Sequence, residues 1–543
     1  MQIIIPNFYW LLMLIIVVAM VLLAAMFLAK PILRYVINRV TDDFMSKLLS
    51  DDYTKNLAEL FPSIKRLSVL NLLEMSLRAQ DGKIVGRPLG SPRHFMGYDS
   101  LMFSPRQMTK LTLPENTKID MRVTLGTNAA KPLTINIPLV IGGMAYGLAL
   151  SEEATLALAR ASKTLQTATN SGEGPFLPEQ PGEAGKFILQ VCRWPWGERT
   201  NAEIASAHML EVQMGQGADI GTARIDPIEL EGRARILAGL NPGEPAISLP
   251  APPGVQKPED WPKFMKKLRQ RANGIPIALK IMATDRLEEE LAIAVALGFD
   301  AVAIDGAEGG SHASAPIKQD DFGIPTLHTL MRAKRALSNT GISLIVSGGY
   351  FTPGQCLKAL ALGADAICLG TIPLLSLVHG QAAKVLPWEP PTTLVYYNSP
   401  TKTELDTDQA ATSVANVLTA MVREMEEGMR ALGKATIKDL SPDDLVALDA
   451  YTAQITGVKS VYDQPVKVQA TAQYRPEQKQ QANQSPKQPT FEELQVQKSV
   501  QDLKSLDLDF FERNINLIGE LEEEAEVLRK TIAQAYRTCR KRK

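Results

Sequence analysis

Cysteine is scarce. The chain has four in 543 residues (Cys192, Cys356, Cys368 and Cys539), and the nearest pair stands twelve positions apart. Such spacing offers neither a disulfide framework nor the short-range clusters that hold zinc or an iron–sulfur centre. A reducing compartment and no metal site are the expectation. Charge of one sign is lacking too: 58 Lys and Arg against 59 Asp and Glu leave a formal net charge of −1. That balance removes the electrostatic case for nucleic acid or any other polyanion. No charged side chain occurs between Met1 and Ala29 either.

That uncharged start is itself a feature. Phe8 to Ala29 are 22 consecutive apolar residues, with Tyr9 and Trp10 at one end. At roughly 1.5 Å per residue the run spans about 33 Å, the thickness of a bilayer core. It lacks the basic start and short apolar core of a signal peptide. Lys30, Arg34 and Arg39 follow it, and by the positive-inside rule the rest of the chain is expected in the cytoplasm. The expected topology is one span, N-terminus outside.

Hydrophobic residues make up 45% and charged residues 22%, enough for a large core. Residues 31–80 read as helical and 84–137 as irregular, with strand-like pieces at Met121–Leu125 and Leu133–Ile137. From 138 the texture becomes a series of short apolar runs, each ending in small or polar residues and followed by a helical stretch. Eight runs are expected as strands: Leu139–Gly143, Thr167–Ser171, Glu211–Gln216, Ala246–Leu249, Ile277–Met282, Ala301–Asp305, Ser343–Ser347 and Ala366–Gly370. Strands flanked by helices are buried on both faces and so are continuously apolar. Eight βα units within about 250 residues favour a closed α/β (TIM) barrel over an open doubly wound sheet. A helix at Thr407–Leu432 and a second, capped by Ser441 with Asp444 three positions on, are expected to follow. Residues 464–490, rich in Gln, Pro and Lys, read as a linker. Ile518, Ala525 and Ile532 alternate with Leu521, Leu528 and Ala535 at heptad spacing beyond it.

In a barrel of this kind the active site lies at the C-terminal ends of the strands. Ser347-Gly348-Gly349 and Gly370-Thr371 end the last two runs, where glycines let backbone N–H groups approach a phosphate; ordinary tight turns are the plainer reading. Lys280 sits inside the apolar run Ile277–Met282, a costly place for an ammonium unless it points into the barrel mouth and meets an electron-rich partner. Snorkelling is its plainer alternative. Asn170-Ser-Gly-Glu173-Gly174 forms a glycine-loosened polar turn in which Glu173 could orient or protonate a substrate. Asp305, Glu308 and His312 share one glycine-dense loop, which either approaches a ligand or moves as a lid.

With these residues assembled, the chain resembles the FMN-binding synthase domain of glutamate synthases, including its stand-alone relatives, from about Tyr98 to Ala450. Met144-Ala-Tyr-Gly147, Thr169-Asn-Ser-Gly-Glu-Gly174, Gln213-Met-Gly-Gln-Gly-Ala218, Ile304–Ser314 and Val346–Gly349 stand in the family's order. The resemblance implies FMN as cofactor, held around Gly143, Met144, Asn170, Ser347, Gly348, Gly349, Gly370 and Thr371. Lys280 would then lie beside the flavin N1/O2 edge, where reduction places negative charge. It implies Glu173, Gln216 and Lys280 as catalytic residues, and Glu173, Gln213, Gln216, Asp219 and Glu308 around an amino or imino acid substrate.

Departures from the family bear on that substrate. Where members have lysines for the carboxylates of 2-oxoglutarate, this chain has Gln213 and Asp219; where they have a glutamine and an arginine, it has Ile225 and Ala238. Each charge-assisted bond is worth roughly 1.5–3 kcal/mol, so 2-oxoglutarate should bind poorly unless Arg224, Arg233 or Arg235 compensates. The family's iron–sulfur cysteine trio has no counterpart in Leu374–Tyr397, so no cluster is expected. Neither the glutamine-hydrolysing domain nor the C-terminal β-helix of larger members has a counterpart here.

The expected organisation is a transmembrane anchor (1–30), a helical juxtamembrane segment (31–83), the FMN barrel with its lead-in (84–385), C-terminal helices (386–463), a Gln/Pro-rich linker (464–498) and an amphipathic or coiled-coil helix (499–543). Expected partners are a small-molecule substrate, a separate electron-transfer protein, the membrane, and a protein or second copy on 499–543. A non-catalytic barrel serving as a membrane scaffold is the alternative. Oxidation of 2-hydroxy acids ranks last, because His208, His328 and His379 lack the arginine context it needs.

Overall fold

The computed structural model describes residues 4–463; the linker and heptad segment lie outside them. Eight parallel strands close into a barrel: β1 (Leu139–Ile141), β2 (Ala168–Asn170), β3 (Lys186–Val191), β4 (Met209–Gln213), β5 (Ile277–Met282), β6 (Ala301–Asp305), β7 (Ser343–Ser347) and β8 (Ala366–Leu369). The count is as expected, but one member differs. Lys186–Val191 is the third strand, and Glu211–Gln216 belongs to the fourth. Ala246–Leu249 is outside the barrel, where Ala246–Ile247 pairs antiparallel with Arg224–Ile225. The physical reason is burial: Phe187, Ile188, Leu189 and Val191 are all buried, whereas Ile247 is exposed. Lys186 and Gln190 disguised the strand by bracketing its apolar centre.

The pleat sorts the side chains. Along β5, Ile277, Leu279 and Ile281 pack outward against the helices while Ala278 joins the barrel interior; Lys280 shares the inward parity of Ala278. The same alternation runs through β6 and β7, whose interior residues Ala301, Ala303 and Ile345 are followed at that parity by Asp305 and Ser347. The lower interior is therefore apolar and the upper interior polar. Beneath it an antiparallel hairpin, Val123–Leu125 with Leu133–Ile135, inserts Val123, Leu125, Leu133 and Ile135 into the interior cluster. Its Gly126 N–H bonds Ser343 Oγ at the start of β7 (3.0 Å). The hairpin plugs the N-terminal end, and the C-terminal end is left to hold a ligand.

After the barrel, helix Thr407–Ala431 packs on helix Glu152–Leu165. The helix expected from Ser441 is only a single 3-10 turn, Pro442–Asp444. Its capping box is present, with Ser441 N bonding Asp444 Oδ2 at 2.8 Å. The chain then extends as Leu445–Ala447 to pair with Leu101–Phe103. That pairing buries Leu445, Ala447 and Leu101, a gain a longer helix would forgo. Towards the N-terminus, one helix runs unbroken from Ile4 to Ser50 with Pro31 inside it. Among the described residues it is the one helix long and apolar enough to cross a membrane, and none of its most apolar stretch is buried.

Candidate functional site

A cavity of about 420 Å³ opens at the C-terminal ends of the strands, within the size range of small-molecule sites. Its floor is the polar upper layer of the barrel. Lys280 and Asp305, both buried, face each other with Nζ 3.5 Å from Oδ1. Burial alone would push the Lys280 ammonium down, but Asp305, with Cys368 and Glu211 beyond it, outweighs burial and holds the ammonium above its ordinary range. Asp305 Oδ2 also accepts the Gly217 N–H (3.1 Å), tying the loop after β4 to the end of β6. Opposite, Glu211 Oε1 accepts from Asn170 Nδ2 (2.7 Å) and Gln190 Nε2 (2.8 Å).

Two walls depend on glycine. In the first, Gly172 and Gly174 press on the chain at Met144–Gly147. A Cβ on Gly172 would stand 2.7 Å from Ala145 N, and one on Gly174 would stand 2.1 Å from Tyr146 O. The turns after β1 and β2 are thus a single interlocked structure. In the second, Gly348 has φ +105° and packs on Thr326 Oγ1 and on Gly306 and Gly309. A Cβ on Gly370 would meet nothing within 4 Å, so that backbone is open to the cavity. Ser347 Oγ, buried beside these glycines, has no hydrogen-bond partner.

Of the expected site residues, Gly143, Met144, Glu173, Gln216, Asp219, Lys280, Glu308, Ser347, Gly348, Gly349, Gly370 and Thr371 all line this cavity. Asn170 and Gln213 do not reach its wall. Asn170 is committed to Glu211 and to the Gly172 N–H. Gln213 is fully buried with its Oε1 3.4 Å from Arg193 Nε. Glu308 lines the cavity, but its carboxylate accepts from both Thr326 N (2.8 Å) and Thr326 Oγ1 (2.6 Å), holding the start of helix Thr326–Ala336. Among the arginines weighed as compensating cations, only Arg224 lines the cavity, paired with Asp226 at 2.9 Å. Arg233 is spent on Glu152 and Glu179, and Arg235 on backbone carbonyls.

What the sequence reading missed follows from the missed strand. Arg193, two residues past β3, is buried and donates to Gln213 Oε1, so a cation does remain near the position where a lysine is lacking. Trp194 lines the cavity, its ring stacked on Trp196 (centroids 5.4 Å apart, planes 3° apart). The Trp194-Pro-Trp-Gly197 run directly after an apolar stretch was the available signal. Glu173 is half-buried. Burial and the nearby Asp219 carboxylate push its carboxyl up to about 7, against the opposing pull of Arg193 and the Trp194 indole. Over the mouth, the lead-in pairs with the loop after β6 through Arg87 N to Ser314 O (2.9 Å) and Leu89 N to Ser311 O (3.1 Å). Arg87 is held by Glu74 (3.0 Å) and Gln319 (3.2 Å). His312 lies against Tyr396, ring centroids 4.3 Å apart.

Comparison with known proteins identifies relatives of the chain. Residues 94–435 match a family profile described as the conserved region in glutamate synthase. The chain is 29% identical over 411 residues to a glutamate synthase large subunit-like protein of Rhizobium meliloti (strain 1021), covering 71% of this chain and 92% of that one. It is 31% identical over 361 residues to an archaeal glutamate synthase [NADPH] of Methanocaldococcus jannaschii, covering 62% and 68% respectively. A mandelate oxidase structure aligns over 63% of this chain and 86% of its own at 16% identity, with a TM-score of 0.41. On the match across the barrel and its helices, the chain belongs to the glutamate synthase family of oxidoreductases.

Proposed function

We propose that the chain is a membrane-anchored, FMN-dependent oxidoreductase acting on the CH–NH₂ group of an amino acid, or on the corresponding imino acid. The observation that carries this reading is the buried Lys280–Asp305 pair in the floor of a cavity edged by the glycine turns after β7 and β8. The residues present fit FMN. Ser347 Oγ is a buried hydroxyl with no partner, Gly370 leaves its side of the cavity open, and Lys280 is a fixed cation. Ser347, Gly348, Gly349, Gly370 and Thr371 would hold the phosphate, and Lys280 the electron-rich edge of the ring. When bound, FMN supplies two-electron exchange with a carbon–nitrogen bond and with a separate electron-transfer partner.

The chain's own contributions are binding, proton handling and shielding. The Lys280 ammonium stays charged because Asp305 faces it, so positive charge is available without rearrangement. Glu173, with its carboxyl near neutrality, can hold or release a proton at its side-chain oxygens. Leu89 and the loop Gly309–Ala313 line the mouth and limit water access. Twelve of the residues named from sequence border one cavity, which supports their assignment to cofactor and substrate. The protein purified in detergent should carry FMN that denaturation releases; FAD, or no flavin after reconstitution, would sink this reading.

Anchoring rests on the exposed apolar stretch of the helix Ile4–Ser50, followed by Lys30, Arg34 and Arg39. A single span with a cytoplasmic barrel is the proposed topology, with the divisions at 30, 83, 385, 463 and 498 as its domain limits. Removing residues 1–30 should move the protein from the membrane fraction to the soluble one with its flavin retained. A truncated protein that loses flavin would tie the helix to the fold of the barrel instead.

A further inference from the structure

The cavity's charges are unevenly committed. Lys280 is taken by Asp305, Arg224 by Asp226 and Glu308 by Thr326. Glu229, which also lines the cavity, accepts the Asp226 N–H at 2.9 Å. Glu173 and Asp219 remain, on the loops after β2 and β4, and Trp194 lines the cavity with them. Neither carboxylate has a side-chain ion pair, and the groups that face Glu173 are Asp219, Arg193 and the Trp194 indole. Arg193 already donates to Gly221 O and Gln213. With both carboxylates ionised the trio carries one net negative charge; with one protonated it carries none.

Asp219 is not free to swing away on its backbone. Gln216 and Asp219 exchange N–H···O bonds of 3.1 Å each way across Gly217-Ala218, and Ala218 holds φ +63°. Non-glycine residues adopt that conformation only where surroundings impose it. Here Gly217 is locked to Asp305 and Ala218 O accepts from Ser314. A carboxylate is thus presented from a rigid turn, near a second carboxylate.

We infer that Glu173 and Asp219 together select a substrate bearing a cationic side chain, an ammonium or guanidinium, rather than the second carboxylate of 2-oxoglutarate. This rests on the cavity being the substrate site proposed above. Lys280 and Asp305 form the floor of the cavity, and the carboxylate pair, on the loops after β2 and β4, reads the substrate's cationic group. A cation satisfies both carboxylates, whereas a carboxylate adds a third like charge.

The test is isothermal titration calorimetry on the full-length, flavin-loaded protein in detergent, with L-lysine, L-norleucine and 2-oxoglutarate as probes. L-Lysine should bind at least roughly tenfold more tightly than the other two, the value of one or more charge-assisted bonds. Its affinity should rise from pH 6 to pH 8, because Glu173 loses its proton at about 7 and L-lysine keeps its charge throughout. Asp219→Asn should weaken L-lysine roughly ten- to hundredfold and lessen the pH dependence without abolishing it, since one carboxylate and its repulsion of Glu173 are lost while burial still holds the Glu173 carboxyl up. Glu173→Gln should weaken it likewise while leaving flavin content unchanged. Tighter binding of 2-oxoglutarate, equal binding of L-lysine and L-norleucine, or no L-lysine binding by flavin-loaded protein overturns the inference. Absence of flavin instead overturns the functional reading beneath it.

Discussion

Lys280→Met is expected to give a protein less stable by about 3–5 kcal/mol that purifies with little or no flavin. The ammonium is buried in the barrel floor 3.5 Å from Asp305 Oδ1, an oxygen with no hydrogen bond of its own. Removing one partner of a buried pair strands the other charge in a poorly solvating interior, and that is where the cost arises. Adding Asp305→Asn should restore most of the stability, because a neutral amide can sit beside Met and still accept the Gly217 N–H. It should not restore flavin, because no cation remains in the barrel floor. Denaturant midpoints and released-flavin absorbance separate the two effects. A double variant that regains stability and flavin together would show that Lys280 matters only as the partner of Asp305.

Gly174→Ala should be more damaging than its single methyl group suggests. The added Cβ would stand 2.1 Å from Tyr146 O and 2.8 Å from Tyr146 N, both backbone atoms that cannot rotate aside. Tyr146 is itself among the largest fully buried side chains, and its ring meets Tyr397 edge-on at 5.8 Å. The turns after β1 and β2 must therefore separate. Overpacking costs about 1–3 kcal/mol where neighbours can shift, and the upper end or beyond is expected where backbone meets backbone. Glu173 sits next to this residue and should lose its position. The measurable outcome is a lowered denaturant midpoint together with loss of the Glu173-dependent pH response in ligand binding. A variant as stable as the parent would show that the two turns are not interlocked in solution.

That interlock also bears on what could be read from the chain. Asn170-Ser-Gly-Glu-Gly174 was legible as a motif, because glycine and polar residues at a strand end announce a functional turn, whereas Met144-Ala-Tyr-Gly147 stood out only through the family resemblance. Their glycines turn out to serve each other's backbone as much as any ligand. Gly348 is similar: its freedom at φ +105° is required by contact with Thr326, Gly306 and Gly309. A glycine motif signals close approach but not what approaches.

The closed barrel, seven of its eight strands and the charged lysine in its mouth followed from the amino-acid sequence alone. Doubly buried strands must be continuous apolar runs, and a lysine in such a run must find a partner at a strand end. The apolar N-terminal stretch was equally plain from composition. Tertiary structure alone decided that Lys186–Val191 rather than Ala246–Leu249 belongs to the barrel, since burial and pairing with the neighbouring strands, not the polarity of either segment, make the difference. It decided that Arg193 bonds Gln213, and that Asn170 serves Glu211. It also decided that the carboxylates of Glu173 and Asp219 act on one another. Local pattern reports the period and the polarity of a segment, but the pairing of side chains from different strands depends on barrel closure and register, which no single segment contains.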